Sequence, residues 1–128
     1  MDDALALPLT PKSAEDFARD WIAAWNDRDI PRVMAHYADN VHFRSPTAHN
    51  LLLDGRVEGA YELQRYFAKA LSLVESLHFE LLGVFTGHDS LTILYRNQND
   101  MEAAETFLFD HEGKVIASTA CYRLDGSR

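Results

Sequence analysis

Glu105 is the acidic side chain whose surroundings point most directly to chemistry. It begins the segment E-T-F-L-F-D, and the alternation of a strand places it on one face with Ala103, Phe107 and Phe109. A carboxyl group among apolar neighbours loses hydration, which raises its pKa and favours the protonated acid. A neutral carboxylic acid can donate a hydrogen bond to a forming enolate or act as general acid or base. The sequence therefore predicts Glu105 as a catalytic residue in an apolar cavity.

A structural role is the alternative interpretation of Glu105, as the partner of Arg96 or Arg44 in an ion pair. Strand register separates the two interpretations. A turn of even length after Asn97 would place Leu94 and Arg96 beside Glu105, whereas a turn of odd length would place Tyr95 and Asn97 there. The sequence leaves this register open.

Histidines are the second source of proton-transfer chemistry in the chain. His49 lies in the S-P-T-A-H-N loop at the predicted cavity mouth, where we expect it to supply or accept a proton. His88 and His111 fall in turns and are expected to be solvated, and His36 and His42 are interpreted as surface or packing residues. No two histidines have the i, i+4 spacing of a helical zinc site, so we predict neither a metal nor a cofactor.

A group of aromatic and small polar side chains is predicted to line the cavity. Large apolar cavities with a few polar groups are the usual form of small-molecule sites. Aromatic residues at helical spacing are also common in ordinary cores, so part of this group is expected to be core. Cys121 is interpreted as a small buried apolar residue. The predicted lining residues are Trp21, Trp25, Tyr37, Phe43, Ser45, Phe67, Tyr95, Phe107, Ser118 and Tyr122.

Helices and then hairpin-linked strands must position these residues, which is an α+β pattern. Residues 1–12 are predicted to be a flexible lead-in, 13–124 a single domain and 125–128 a tail. Ser13 is expected to cap helix 1 and Asp29 to cap helix 2, with Pro31 tolerated in its first turn. The predicted elements are helix 1 over 14–26, helix 2 from Ile30 to Tyr37, a strand over 41–45, a loop over 47–59, helix 3 over 60–75, and strands over 77–86, 90–97, 101–110 and 114–124.

Composition excludes several classes of protein. The chain has 128 residues, 47% of them hydrophobic, which is typical of one globular domain. Its 12 basic and 20 acidic residues give a net charge of −8, which argues against nucleic acids and anionic membranes as partners. The acidic start and the absence of an apolar run of about 18 residues predict neither a signal peptide nor a membrane span. One cysteine, Cys121, favours a reducing, cytoplasmic setting.

Several strands are apolar on both faces, which predicts a homodimer. Phe107 and Phe109 alternate with Thr106 and Leu108. A sheet with one solvated face would show one polar side of each strand. We therefore expect helices and the cavity to cover one face and a second copy of the chain to cover the other.

The sequence resembles the nuclear transport factor 2-like (NTF2-like) superfamily, in its SnoaL-like and ketosteroid-isomerase-like branch. The resemblance rests on A-A-W-N-D-R-D, V-H-F-R-S-P, G-R-V-E-G-A and F-L-F-D-H-E-G-K-V, and it spans about residues 13–124. It implies a cone-shaped fold in which a strongly curved, mostly antiparallel sheet wraps around three helices, usually as a dimer. Members include isomerases, cyclases, hydrolases and non-catalytic binding modules.

Only one of three isomerase groups is present when the resemblance is followed residue by residue. The slot of the carboxylate base after the first strand holds Ser45, just before Pro46. The helix 1 tyrosine slot corresponds to Trp21, whose indole N–H can donate a hydrogen bond but cannot act as an acid. The acid of the penultimate strand corresponds to Glu105. The resemblance therefore does not imply a true ketosteroid isomerase, and the Asp-Arg-Asp arrangement of the epoxide hydrolases is not recognisable.

Two functions follow as expectations. The first is a cofactor-free isomerase, cyclase or hydratase that acts on a hydrophobic, oxygenated molecule through Glu105, with help from His49. The second is a module of the same fold that binds an apolar ligand or a partner protein without turnover.

Overall fold

The computed structural model describes residues 5–124 as an α+β fold, as the sequence predicts. Six strands form one mostly antiparallel sheet in the order β2-β1-β6-β5-β4-β3, in which only β1 and β6 run parallel. The described residues form helices α1 (Pro11–Asn26), α2 (Ile30–Met34), α3 (Pro46–Leu52) and α4 (Ala60–Ser72), and strands β1 (Tyr37–Arg44), β2 (Arg56–Glu58), β3 (Glu80–Thr86), β4 (Ser90–Arg96), β5 (Glu102–Phe109) and β6 (Val115–Tyr122).

Helix α1 begins three residues earlier than predicted, because Thr10 and not Ser13 is its cap. The Thr10 hydroxyl accepts from the Ser13 N–H at 3.0 Å, and the Ser13 hydroxyl accepts from the Thr10 N–H at 3.0 Å, which is a capping box. Pro11 fits the first turn because its missing N–H would have no partner there. Asp29 does cap α2, accepting from the Arg32 N–H at 3.1 Å, and the strand that was expected from Val41 begins at Tyr37 instead.

The predicted lead-in is partly built into the fold. The Leu5 N–H donates to the Gly113 carbonyl and the Leu9 N–H donates to the His88 carbonyl, both at 3.1 Å. Leu5, Leu7 and Leu9 also pack against the core. Residues 1–4 and the predicted tail, 125–128, lie outside the described residues.

The predicted loop over 47–59 is wrong, since it contains a helix and a strand. Ser45 caps α3 by accepting from the Thr47 N–H at 3.1 Å, with Pro46 in the first turn. Leu53, at φ 62°, ends the helix in the left-handed region. Strand β2 then pairs antiparallel with β1. Leu51 packs against the core, whereas Leu53 is 85% exposed.

Strand alternation separates a core face from an outer face of the sheet. On β5, Ala103, Glu105, Phe107 and Phe109 are buried beneath the helices, and the residues between them face outward. Phe107 is fully buried, and its ring meets those of Phe17 and Trp21 edge-on at 5.1 and 5.4 Å between centroids. Phe107 is therefore a core residue that joins α1 to the sheet.

Neither a membrane helix nor a metal cluster is found over residues 5–124. No helix there combines the length and apolar character needed to cross a bilayer. In the same residues, no group of three or more His, Cys, Asp or Glu side chains is arranged to hold a metal ion.

Replacing Phe107 tests whether the core depends on this ring. Phe107→Ala should lower the free energy of unfolding by about 3–5 kcal/mol, because it removes a fully buried ring and leaves a cavity. Phe85→Ala is the matched control, since Phe85 is 61% exposed on β3. Urea unfolding of both variants measures the difference, and similar small losses for the two would contradict the assignment of Phe107 to the core.

Candidate functional site

A cavity of about 580 Å³ lies between the helices and the core face of the sheet. Helices α1 and α4 supply aromatic and aliphatic walls, the start of α3 supplies Ser45 to Thr47, and the β4–β5 loop (residues 97–101) contributes to the lining. The predicted site residues that line the cavity are Trp21, Trp25, Phe43, Ser45, Phe67, Tyr95, Glu105 and Tyr122.

Three predicted lining residues lie behind the wall instead. Phe107 belongs to the core, as described above. Tyr37 is buried, and its hydroxyl accepts from the Trp21 indole N–H at 3.1 Å. Ser118 is buried, and its hydroxyl donates to Glu105 from behind the lining. The Trp21 donor expected to face a ligand is therefore already used inside the protein.

His49 does not line the cavity, which corrects its prediction as a catalytic residue. The prediction placed it in a loop at the cavity mouth. Helix formation from Pro46 turns Thr47 and Asn50 toward the cavity and leaves His49 exposed on another side of α3. The described lining contains no histidine.

Glu105 is buried at 4% exposure and is held by two hydroxyl groups. The Tyr95 hydroxyl donates to Oε1 at 3.4 Å, and the Ser118 hydroxyl donates to Oε2 at 3.2 Å. Burial raises the pKa of Glu105 to about 7, and the hydrogen bonds from Ser118 and Tyr95 only partly oppose this. Both the protonated and the ionised forms are therefore available near neutral pH.

The register excludes the ion pair that was the alternative for Glu105. The five residues of the β4–β5 loop form a turn of odd length, so Tyr95 and not Arg96 shares the face of Glu105. Arg96 instead contacts Glu80 at 3.1 Å and Glu102 at 3.4 Å. The second candidate, Arg44, is exposed.

The rest of the described lining carries no formal charge. Burial, and next the charge of Glu105, raise the pKa of Tyr95 well above its ordinary value, so its hydroxyl stays a neutral donor. Burial likewise raises the pKa of Tyr66. The Trp25 indole N–H is buried beside the cavity without a partner among the described residues. The site thus combines one titratable carboxyl with neutral hydroxyl and indole groups.

Sequence reasoning missed several lining residues. Tyr66 follows Leu63 at i+3 on α4, a spacing that indicates the same helix face. Phe79 lies in the connection before β3, where the Asn26 carboxamide accepts from its N–H at 2.7 Å and donates to its carbonyl at 2.9 Å. No local pattern indicates that contact, since it joins residues 53 positions apart. Gln98 was not among the predicted lining residues, and Asn97 was expected on the face of Glu105 only for a turn of odd length.

Two other residues differ from their predicted surroundings. Cys121 is exposed on the outer face of β6, so the prediction of a buried apolar residue is wrong. His36 is buried, packs edge-on against Phe17 and lies 2.7 Å from Asp20 through Nε2. It is thus a packing residue, one of the two roles predicted for it.

Comparison with known proteins places this geometry in a family. The model of the SnoaL-like domain matches residues 18–128. A SnoaL-like protein of unknown function from Burkholderia thailandensis is 34% identical, with 91% of this chain and 99% of that chain covered and a TM-score of 0.87. No curated protein matches the sequence.

More distant structures share the fold alone. A candidate isomerase of the SnoaL-like family from Agrobacterium tumefaciens is 18% identical over 87% of this chain and 97% of that chain, with a TM-score of 0.69. A protein of ketosteroid isomerase-like fold from Catenulispora acidiphila, in complex with trimethylamine, is 14% identical over 91% of this chain and 88% of that chain, with a TM-score of 0.68. The fold and cavity thus define an NTF2-like protein. Within that superfamily, the chain belongs to the SnoaL-like family.

The raised pKa of Glu105 predicts a pH-dependent stability. The protonated form of Glu105 adds to the free energy of unfolding. This stabilisation is fully present below the ordinary pKa of 4.5 and is lost as the pH rises to about 7. Glu105→Gln is neutral throughout. The free energy of unfolding of Glu105→Gln minus that of the unmodified protein should therefore increase by up to about 3 kcal/mol between pH about 4 and pH about 8.

Urea unfolding at both pH values measures this difference. Glu112→Gln is the control, because Glu112 is exposed in the β5–β6 turn. A stability difference between Glu105→Gln and the unmodified protein that is the same at both pH values would contradict the raised pKa.

Proposed function

We propose that the protein binds a hydrophobic, oxygenated small molecule in the cavity and shifts a proton within that molecule through Glu105. The observation that carries the proposal is the state of Glu105: buried, held by Tyr95 and Ser118, and without an arginine partner among the described residues. A carboxyl with a pKa near the working pH is well suited to both taking and giving a proton. The aromatic walls fit an apolar molecule.

A single residue, Glu105, can both remove and return the proton in the proposed isomerisation. Ionised Glu105 takes a proton from a carbon next to a carbonyl, and the C–H electron pair moves into the carbon–carbon bond of an enolate. Glu105, now protonated, returns the proton to another carbon of the same conjugated molecule. The net reaction is an isomerisation that needs no oxidant, reductant or second substrate.

Binding without turnover is the second candidate. It is favoured by the lack of a second proton-transfer side chain among the described lining residues, with Ser45 at the position where the isomerases of the superfamily carry their base. In this case Glu105 acts only as a hydrogen-bonding group for the ligand.

Deuterium exchange of 2-tetralone, a neutral bicyclic ketone with acidic C–H groups, separates the two candidates. Turnover predicts that the protein speeds exchange of the C–H groups next to the carbonyl in D₂O, followed by NMR. Glu105→Gln should lower the protein-catalysed exchange rate at least about 100-fold, the smallest effect typical of a general base. Glu112→Gln should retain it.

Binding of the same ketone is measured separately by tryptophan fluorescence. The chain has two tryptophans, Trp21 and Trp25, and both line the cavity. Binding with exchange no faster than in Glu105→Gln would support the second candidate and contradict the proton shift. If 2-tetralone neither changes the tryptophan fluorescence nor exchanges faster in the presence of the protein, a site for neutral ketones is contradicted.

We also propose a homodimer formed through the outer face of the sheet. Leu94 is half-buried and pairs with Ala104, and Leu108 is 43% exposed and pairs with Ala117. These two apolar rows lie on either side of a row of threonines, Thr92, Thr106 and Thr119. Exposed apolar side chains grouped on one face of an acidic protein are typical of an interaction surface. A cytoplasmic location stays a prediction based on the single cysteine.

Positively charged lysines introduced on the outer face of the sheet should break the dimer. Sedimentation equilibrium should give twice the chain mass of 14.5 kDa for the unmodified protein, and the monomer mass for Leu94→Lys combined with Leu108→Lys. The burial of two lysines against a second copy is unfavourable, whereas each lysine is solvated in the monomer. A monomer mass for the unmodified protein at micromolar concentration would contradict the proposal.

A further inference from the structure

Asn97 and Gln98 line the end of the cavity at the β4–β5 loop, which we call its outer end. The oxygen of each carboxamide accepts a hydrogen bond from the backbone, whereas the nitrogen has no partner among the described residues. Asn97 Oδ1 accepts from the Asn99 N–H at 2.9 Å and from the Met101 N–H at 3.1 Å. Gln98 Oε1 accepts from the His78 N–H at 3.4 Å. Because backbone N–H groups can only donate, these contacts fix which end of each carboxamide is the oxygen.

The two NH₂ groups have no partner among the described residues, although both side chains line the cavity. Asn26 provides the contrast within the same molecule. Its carboxamide uses both ends on the backbone of Phe79, accepting at 2.7 Å and donating at 2.9 Å. Asn26 is thus a purely structural amide, whereas Asn97 and Gln98 present N–H donors that the fold does not use.

Position along β4 separates these donors from Glu105. Glu105 pairs with Ile93, and Asn97 is the first residue after β4, four residues beyond Ile93, with Tyr95 between them. At about 3.4 Å per residue the α-carbons of Ile93 and Asn97 lie roughly 13 Å apart. The wall between them is apolar and aromatic, with Trp21, Phe79 and Tyr95 in contact.

Charge further restricts the ligand. The described lining contains no lysine, arginine or histidine, so a ligand carboxylate would have no cation to pair with and would face Glu105. An unpaired anion in such a site bears the full cost of lost hydration. The acceptor oxygens of a neutral ligand would instead meet the carboxamide N–H groups at the outer end and the O–H of protonated Glu105 at the inner end.

We propose that the ligand is an elongated neutral molecule with an apolar middle and an acceptor oxygen at each end, and that Asn97 and Gln98 determine this specificity by donating to the outer oxygen. This inference rests on the proposed function, because it requires the inner end of the same molecule to meet Glu105.

A pair of biphenyl ketones tests the outer contact. The probes are 4-acetylbiphenyl, which has one acceptor oxygen, and 4-acetyl-4′-methoxybiphenyl, which has one at each end. Calorimetric titration of the unmodified protein should show the methoxy compound binding roughly 2- to 10-fold more tightly, the gain typical of one neutral hydrogen bond. A third probe, 4′-methoxybiphenyl-4-carboxylate, should bind at least tenfold more weakly than the matching ketone.

Variants that replace the donors provide the comparison. In Asn97→Asp combined with Gln98→Glu, each side chain keeps the oxygen that accepts from the backbone, and a negatively charged carboxylate oxygen replaces the NH₂ group. The double variant should bind 4-acetylbiphenyl as the unmodified protein does, and the gain from the methoxy group should disappear. An unchanged thermal unfolding temperature checks that the loop is intact.

Each result decides the question. Equal binding of the two ketones by the unmodified protein, or a methoxy gain that persists in the double variant, overturns the inference while leaving a ligand cavity. Tight binding of the carboxylate overturns the restriction to neutral ligands. If neither biphenyl ketone binds although 2-tetralone does, the inference is overturned and the proposed function stands. If 2-tetralone does not bind either, both fail.

Discussion

The burial of one ionisable carboxyl group is the constraint on which the site depends. Glu105 is 4% exposed, and its hydrogen-bond partners among the described residues are the hydroxyl groups of Tyr95 and Ser118. An arginine in contact would hold it as a permanent anion, and an open position would give it an ordinary pKa. Because neither is present, the free energy of ionisation is balanced near neutral pH, with a pKa of about 7.

The rest of the cavity follows from that balance. The described groups around Glu105 are neutral, so they keep its surroundings at low polarity without fixing its charge. The Trp21 indole is turned away to Tyr37, at 3.1 Å, which ties α1 to β1 and leaves the carboxyl without a third donor. Further polar side chains line the cavity at the start of α3 and in the β4–β5 loop, where Asn97 and Gln98 lie. Polarity at both ends and an apolar middle define the shape of the ligand that the site favours.

Strand alternation made Glu105 predictable, whereas its partners needed the three-dimensional register. Apolar neighbours at every second position fix the face of a strand side chain, so Glu105 was correctly placed in an apolar cavity. Tyr95 depends on the odd length of the β4–β5 loop, which the sequence left open. His49 was misplaced because Ser45 and Pro46 start a helix that was predicted as a loop. Phe107 follows the same alternation as Glu105, but only the packing of α1 decides that it is core rather than cavity wall.

The central claim is the raised pKa of Glu105, and NMR titration of its carboxyl carbon tests that claim most directly. The protein would be labelled with ¹³C at glutamate carboxyl groups, and Glu105→Gln would assign the resonance by its absence. We expect a midpoint at about 7 for Glu105. A midpoint for Glu105 near 4.5 would mean that the carboxyl is ionised at neutral pH, and would contradict the account of the site.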